Sequence, residues 1–224
     1  MEARYVPRFE IEDALDPGAT LFDGVRATDV DLIGTPVGLQ PTAAIRVSWT
    51  GREIGATDRV RVAAVHDGQT LAFRLEWLDD SENQALLDTT AFPDAAAILF
   101  PSVAGAPSVT MGAPGLAVTA WYWRADEPGR GRHVVAEGLG TSRTLDVELV
   151  RGRGVWKEGR WQIVIARALR VATDEPVAQL TAGETTGFGV AVWDGQHGER
   201  AGIKAFSGDW RELRLAAAPA VMGR

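Results

Sequence analysis

Short runs of alternating apolar and polar residues recur along most of this chain. A period of two places successive side chains on opposite faces of a strand. The alternation predicts strands at residues 45–49, 60–64, 71–77, 116–123, 188–192 and 210–215. The apolar run at residues 95–100 is typical of a strand buried on both faces, and Pro101 ends it.

Turn residues separate these runs and predict how they pair. Asp67-Gly68 lies between two of the predicted strands, and this dipeptide tolerates the positive φ of a tight hairpin. A second hairpin is predicted between residues 145–149 and 161–165, with Gly152, Gly154 and Gly159 in its turns. Only residues 81–88 resemble a short helix.

About nine short strands with little helix predict an all-β fold, a two-sheet antiparallel β-sandwich. Its proportions resemble those of immunoglobulin-like domains or carbohydrate-binding modules. The chain shows no repeat or linker, which predicts a single domain over residues 1–224. The alanine-rich tail, residues 216–224, is predicted to be mobile unless a partner orders it.

Composition excludes several classes of protein. A net charge of −7 with scattered arginines argues against a nucleic-acid or anionic-membrane surface. The absence of cysteine excludes iron–sulfur clusters, c-type haem attachment and cysteine-ligated zinc. No apolar stretch is long enough to predict a membrane span. The first nine residues lack the apolar core of a signal peptide, which leaves a cytoplasmic location open.

Histidines and acidic residues provide few candidates for chemistry. His66, His133 and His197 lack metal-site spacing and are predicted to be solvated in loops, although His197 lies close to Lys204 in the sequence. Asp79 and Asp80 at a strand end could bind calcium or act as a glycosidase pair, but such pairs are usually solvated.

The segment Trp121-Tyr122-Trp123 has two interpretations. On a strand, the two tryptophans share one face and Tyr122 points to the other. Packing in the core is the simpler interpretation. Alternatively, the tryptophans could form a sugar-stacking platform, as in a non-catalytic carbohydrate-binding module, or the wall of a pocket for a flat cofactor.

Met111 and Lys204 would attract no attention by residue type alone. Met111 is the only methionine between Met1 and Met222, and lysine occurs only at positions 157 and 204. A lone methionine usually fills a gap in a core, and a lone lysine is usually solvated. Their context is what makes them candidates.

Four separated segments carry a resemblance to a known family. They are FPDAAAILFP at 92–101, MG at 111–112, WYWRAD at 121–126, and GIKAFS at 202–207 followed by Trp210. The chain resembles the haem b γ subunits of type II DMSO reductase-family molybdoenzymes, which include ethylbenzene and dimethylsulfide dehydrogenases and selenate and chlorate reductases. The similarity covers most of the chain.

The resemblance implies a β-sandwich with one haem b at one edge and Met111 and Lys204 as axial iron ligands. It implies a non-catalytic electron-transfer subunit of a heterotrimer, with an iron–sulfur β subunit and an α subunit that carries the molybdenum cofactor. A soluble carrier would exchange electrons with the haem. The resemblance also favours a periplasmic location. The residues that hold the propionates are not implied; Arg124, Arg132 and Arg200 are candidates by charge alone.

The chemistry of this ligand pair suits electron transfer. A thioether is a soft, neutral ligand that favours ferrous iron. Lysine ligates only as the free amine, whereas arginine cannot lose its proton in a protein. Two protein ligands leave no open position on the iron, which indicates electron transfer without catalysis.

Overall fold

The structure, a computed structural model, describes residues 1–85, 92–145 and 148–218. The strands are β1 (Glu2–Tyr5), β2 (Thr28–Asp31), β3 (Ile33–Gly34), β4 (Arg59–His66), β5 (Thr70–Leu78), β6 (Ala95–Pro101), β7 (Val118–Arg124), β8 (Arg132–Ala136), β9 (Arg143–Thr144), β10 (Val150–Trp156), β11 (Arg160–Ala168), β12 (Thr185–Trp193), β13 (Ala205–Phe206) and β14 (Arg211–Leu215). The helices are α1 (Ile11–Ala14) and α2 (Ala43–Trp49), with 3₁₀ turns at Thr20–Phe22 and Val37–Leu39.

The strands form one mixed sheet that folds into two packed layers. The first layer has the order β10-β11-β5-β4, and β2 and β1 pair with successive parts of the outer edge of β4. The second has the order β14-β12-β6-β7-β8-β9, and β13 and β3 extend it beside β12. Strand β1 joins the layers by pairing in parallel with both β4 and β14, which is a departure from purely antiparallel pairing. The predicted all-β sandwich is confirmed.

Large aromatic side chains fill the space between the layers. Phe73 of the first layer contacts Phe100, Trp121 and Phe188 of the second, with ring centroids 6.0–6.3 Å apart. A second group at one end of the core consists of Trp77, Trp123 and Trp161. The predicted strand at 95–100 is β6, and its side chains from Ala95 to Phe100 are all buried.

Residues 45–49 form a helix, so the strand predicted there is wrong. The hydroxyl of Thr42 caps helix α2 by accepting a hydrogen bond from the backbone N–H of Ile45 (3.3 Å). Trp49 is buried while Val47 is 75% exposed. Three alternating positions are too few to distinguish a strand from a short capped helix.

The hairpin partner of β11 is Val150–Trp156, not the predicted residues 145–149, and β5 pairs with its other edge. Gly152 and Gly154 lie within this strand, where the sequence suggested turns. A Cβ on Gly154 would lie 2.5 Å from Trp123 and 2.6 Å from Ile163. Glycine is therefore required at this position because a bulky side chain approaches the strand closely.

The structure also corrects the predicted helix at residues 81–88. Residues 81–85 are irregular, since carboxylates capture their backbone N–H groups: Ser81 donates to Asp79 and Asn83 donates to Asp94. Residues 86–88 lie outside the described residues.

The C-terminal segment is described as far as residue 218. The backbone N–H of Ala216 donates to the backbone oxygen of Ala3, and residues 219–224 are not described. None of the helices in the described ranges is long and apolar enough to span a membrane.

We expect Gly154→Ala to destabilise the fold by about 1–3 kcal/mol, because the new methyl group must displace Trp123 or Ile163. Denaturant unfolding measures this change. Gly38→Ala is the control, since a Cβ there meets nothing within 4 Å. Equal stability of the two variants would contradict the packing described for β10.

Candidate functional site

A cavity of about 320 Å³ lies on the outer face of the second layer. That volume is in the range of small-molecule and cofactor sites. Side chains that alternate with the buried core residues of β6, β7 and β8 form its floor, and they are Ala97, Leu99, Ala120, Tyr122 and Val134. The small side chains of Ala97 and Ala120 leave room for the cavity above the sheet. Most of the residues that line it are apolar.

Met111 reaches the cavity from the loop between β6 and β7. Its backbone is left-handed, with φ 56°, and Gly112 follows with φ 92°. A Cβ on Gly112 would lie 2.6 Å from the backbone oxygen of Leu116. The N–H of Met111 donates to Ser108, and its carbonyl accepts from Gly138. The loop is thus held from both sides, and its unusual backbone at the cavity wall is typical of functional positions.

Lys204 lines the cavity from the segment immediately before β13. Its backbone N–H donates to the hydroxyl of Thr35 (3.3 Å), and its carbonyl accepts from the N–H of Thr35 (2.9 Å). The Thr35 hydroxyl donates to the carbonyl of Gly202 (2.7 Å), which also accepts from Nε2 of Gln40 (3.0 Å). The backbone that carries the lysine is therefore well fixed.

The amine of Lys204 is buried without an opposite charge. The residue is only 8% exposed, and its Nζ lies 5.3 Å from the ring centroid of Trp193. Within the described parts of the chain, no carboxylate pairs with this amine and no acceptor hydrogen-bonds to it. Burial lowers the pKa of Lys204 to about 8. The lone pair needed for metal ligation is therefore more accessible than in an exposed lysine.

Two hydrogen bonds connect the methionine loop to the segment that follows the lysine. The hydroxyl of Ser108 donates to the carbonyl of Gly208 (2.9 Å). The indole N–H of Trp210 donates to the carbonyl of Ala106 (2.7 Å). Met111 and Lys204 thus line one cavity whose two walls are joined, although 93 positions separate them in the sequence.

The other predicted candidates lie away from the cavity wall. His197 has a 63% exposed side chain and binds Asp194 through Nδ1 (2.7 Å); this hydrogen bond raises the pKa of His197. Arg124 pairs with Asp126 and Arg132 with Glu127, while Arg200 packs over Phe92. None of these arginines lines the cavity.

The structure does not support a sugar-stacking platform on β7. Trp121 and Trp123 are 0% and 2% exposed and belong to the core between the layers. Tyr122, on the opposite face, lines the cavity, and burial raises its pKa to about 12. The tryptophans cannot stack on a sugar from solvent.

Two of the predicted solvated histidines are buried. His66 lies on β4 and His133 on β8, with 0% and 1% exposure. Burial lowers the pKa of His133 to about 4. Asp79 is also buried, whereas Asp80 is exposed as predicted.

Sequence reasoning missed Thr35 and Gln40, which position the lysine. Gln40 is only 4% exposed. Both precede α2 in a segment with no recognisable motif; Thr35 bonds the backbone of Lys204 next to the pairing of β3 with β13, and Gln40 bonds the carbonyl of Gly202. A buried glutamine flanked by Leu39 and Pro41 is the only local signal, and it is weak.

Comparison of sequences identifies related proteins. The profile of the ethylbenzene dehydrogenase family matches residues 20–148 and 144–205. Chlorate reductase subunit gamma of Ideonella dechloratans is 36% identical over 206 residues, 91% of this chain and 80% of that protein. Dimethylsulfide dehydrogenase subunit gamma of Rhodovulum sulfidophilum is 26% identical over 96% of this chain and 83% of its own length. A protein of Haloferax mediterranei, provisionally named a respiratory nitrate reductase haem subunit, is 28% identical over 91% of this chain and 69% of its own length.

Solved structures with the same architecture are more distant. A family 9 carbohydrate-binding module of Caldicellulosiruptor kristjanssonii, in complex with glucose, superposes with a TM-score of 0.53. The alignment covers 100% of this chain and 99% of the module at 11% identity. At that identity the likeness shows a shared fold alone.

We expect the stability of the chain, without added ligand, to rise with pH between about 8 and 10. The pKa of Lys204 is lowered from 10.5 to about 8 on folding, so in this interval the unfolded chain binds a proton that the folded chain lacks. The rise can reach about 3 kcal/mol. Denaturant unfolding at a series of pH values measures it.

Lys204→Met should remove most of this pH dependence. Lys157→Met is the matched control, because the side chain of Lys157 is 78% exposed. An unchanged slope in Lys204→Met would contradict the burial of a charged amine at this site.

Proposed function

Because this chain belongs to the ethylbenzene dehydrogenase family, we propose that it is the electron-transfer haem subunit of a molybdenum-dependent oxidoreductase complex. It would hold one haem b in the cavity, with Met111 and Lys204 as the axial ligands of the iron. The chain alone would carry out no catalysis.

One observation carries the proposal: the buried amine of Lys204 faces an apolar cavity without a partner among the described residues. A buried cation without an opposite charge is costly, and coordination of a metal removes that cost by replacing the proton. The thioether of Met111 lines the same cavity. These two donors and the apolar floor fit a flat, largely apolar group that carries a metal.

The residues of the chain have distinct roles in this proposal. Lys204 supplies a neutral nitrogen lone pair, which its lowered pKa favours. Met111 supplies a soft sulfur that stabilises the ferrous state. The apolar floor excludes water, Thr35 holds the backbone of the lysine, and Gln40 holds the carbonyl of Gly202 two residues before it. A haem with two protein ligands supplies one-electron exchange without an open site for a substrate.

The proposed partners follow from the names of the relatives, which are gamma subunits of chlorate reductase and dimethylsulfide dehydrogenase. The chain would join an iron–sulfur β subunit and a molybdenum-containing α subunit in a heterotrimer. Electrons would pass between the iron–sulfur subunit, the haem and a soluble external carrier. We propose an extracytoplasmic location for this complex, which the resemblance to these gamma subunits favours.

We expect Lys204→Arg to abolish the low-spin six-coordinate spectrum of the haem-reconstituted chain. Arginine keeps the positive charge but cannot provide a free nitrogen lone pair. Absorption spectra of the reconstituted variants measure the loss. Lys157→Arg is the matched control and should retain the native spectrum, as should His197→Ala, since His197 lies outside the cavity wall. A native spectrum in Lys204→Arg would contradict ligation by this lysine.

We expect Met111→Leu to convert the reconstituted chain to a high-spin form while the fold remains intact. Leucine has a similar volume and is no more strained at φ 56°, but it has no sulfur lone pair. Absorption and paramagnetic resonance spectra report the spin state, and circular dichroism verifies the fold. If the variant stayed low-spin, another group would have to be the second ligand.

A further inference from the structure

Three carboxylates from the two layers lie close together outside the cavity, and none of them has a role in the proposed function. Asp79 follows β5, Asp94 precedes β6, and Asp194 follows β12. The pairing of Ala95 with Trp193 brings Asp94 and Asp194 together, while Asp79 reaches them from the first layer. One oxygen of each carboxylate lies within 4.8 Å of the other two. The three residues are 5%, 0% and 7% exposed.

Among the described residues, this carboxylate cluster has one ionisable basic partner, the exposed side chain of His197, which binds Asp194. No lysine or arginine there forms an ion pair with any of the three, and His197 contacts only Asp194. Burial raises the pKa of Asp79 to about 6 and that of Asp94 to about 7, and the negative charge of a neighbouring aspartate adds to both shifts. Buried carboxyl groups without an ion-pair partner either take up a proton, which these raised pKa values favour, or coordinate a metal.

Hydrogen bonding leaves one oxygen of the cluster free. Both oxygens of Asp94 accept bonds, Oδ1 from Gly195 and Oδ2 from Asn83 and the indole of Trp161. Oδ1 of Asp79 accepts hydrogen bonds from the backbone N–H and the hydroxyl of Ser81, two residues later. Oδ2 of Asp79 is inaccessible to solvent and makes no hydrogen bond of normal geometry in the described part of the chain, although the nearby indole N–H of Trp77, which also lacks an acceptor, lowers the pKa of Asp79. A buried acceptor without such a bond needs an explanation, and a bound ion provides one.

The spacing of the oxygens suits a hard cation. Calcium binds oxygen ligands at about 2.3–2.6 Å, so two of its ligands can lie up to roughly 5 Å apart. The largest separation allowed by the cluster, 4.8 Å, is within that limit. We propose that Asp79, Asp94 and Asp194 bind a divalent cation of the calcium class, which ties the two layers together. Backbone carbonyls and water would complete the coordination.

The proposed ion would lie next to the cavity that contains Met111 and Lys204, but outside its lining. Asp194 directly follows Trp193, which lines the cavity, and it begins the loop that leads to Lys204. The backbone N–H of Asp194 donates to Glu199 in this loop. An ion at the cluster would therefore stabilise the start of the segment that presents the lysine.

Terbium luminescence tests this proposal on the purified chain after dialysis against a chelator. The indole N–H of Trp161 lies 3.0 Å from Oδ2 of Asp94, so excitation of tryptophan should sensitise emission from Tb³⁺ at the cluster. We expect Ca²⁺ to displace Tb³⁺. Ca²⁺ at roughly a hundred times its Kd should also raise Tm by about 5 °C or more.

Asp79→Asn should lose both the emission and the rise in Tm. Asp80→Asn is the matched control, because it removes the same charge from the adjacent, exposed residue and should behave like the wild type. Absent emission in the wild type, or equal emission in Asp79→Asn, would overturn the proposal. If Asp79→Asn does not fold, Asp194→Asn replaces it. If neither folds, the wild type decides: a Tm that does not respond to Ca²⁺ overturns the proposal.

Discussion

The side-chain amine of Lys204 lies buried against Trp193 with no acidic neighbour in the described residues, and the chemistry of the cavity depends on this imbalance. Burial lowers its pKa to about 8, so a modest driving force removes the proton. An acidic partner would have kept the amine charged. Without one, the side chain is suited to bind a metal through its lone pair, and Met111 provides a second donor in the same cavity.

The sheet explains how a packed sandwich can carry such a cavity. Along β7, Trp121 and Trp123 point into the core while Ala120 and Tyr122 face the cavity. The core therefore supplies a rigid floor, and the donors come from loops above it. Hydrogen bonds from Ser108 and Trp210 connect those loops. In many proteins the strands form a rigid scaffold, and the loops that they support carry the binding residues.

Alternation was enough to predict β4, β5 and β12, because their apolar residues face a packed core, and a continuous apolar run predicted β6. Alternation failed at β10, whose sequence is VRGRGVW. Glycines occupy the positions that face Trp123, so this strand lacks the apolar side chains that an alternating pattern requires. It also failed at α2, where the cap at Thr42 outweighs three alternating residues. Met111 and Lys204 emerged only through family resemblance. Thr35 could not be predicted, since its contact with Lys204 joins residues 169 positions apart.

A crystal structure of the haem-loaded chain would test the central claim most directly. It should show the iron in the cavity on the outer face of the second layer, bonded to the sulfur of Met111 and to Nζ of Lys204. An iron bonded to another residue such as His197, or one with an open coordination position, would contradict a role as a closed electron-transfer site.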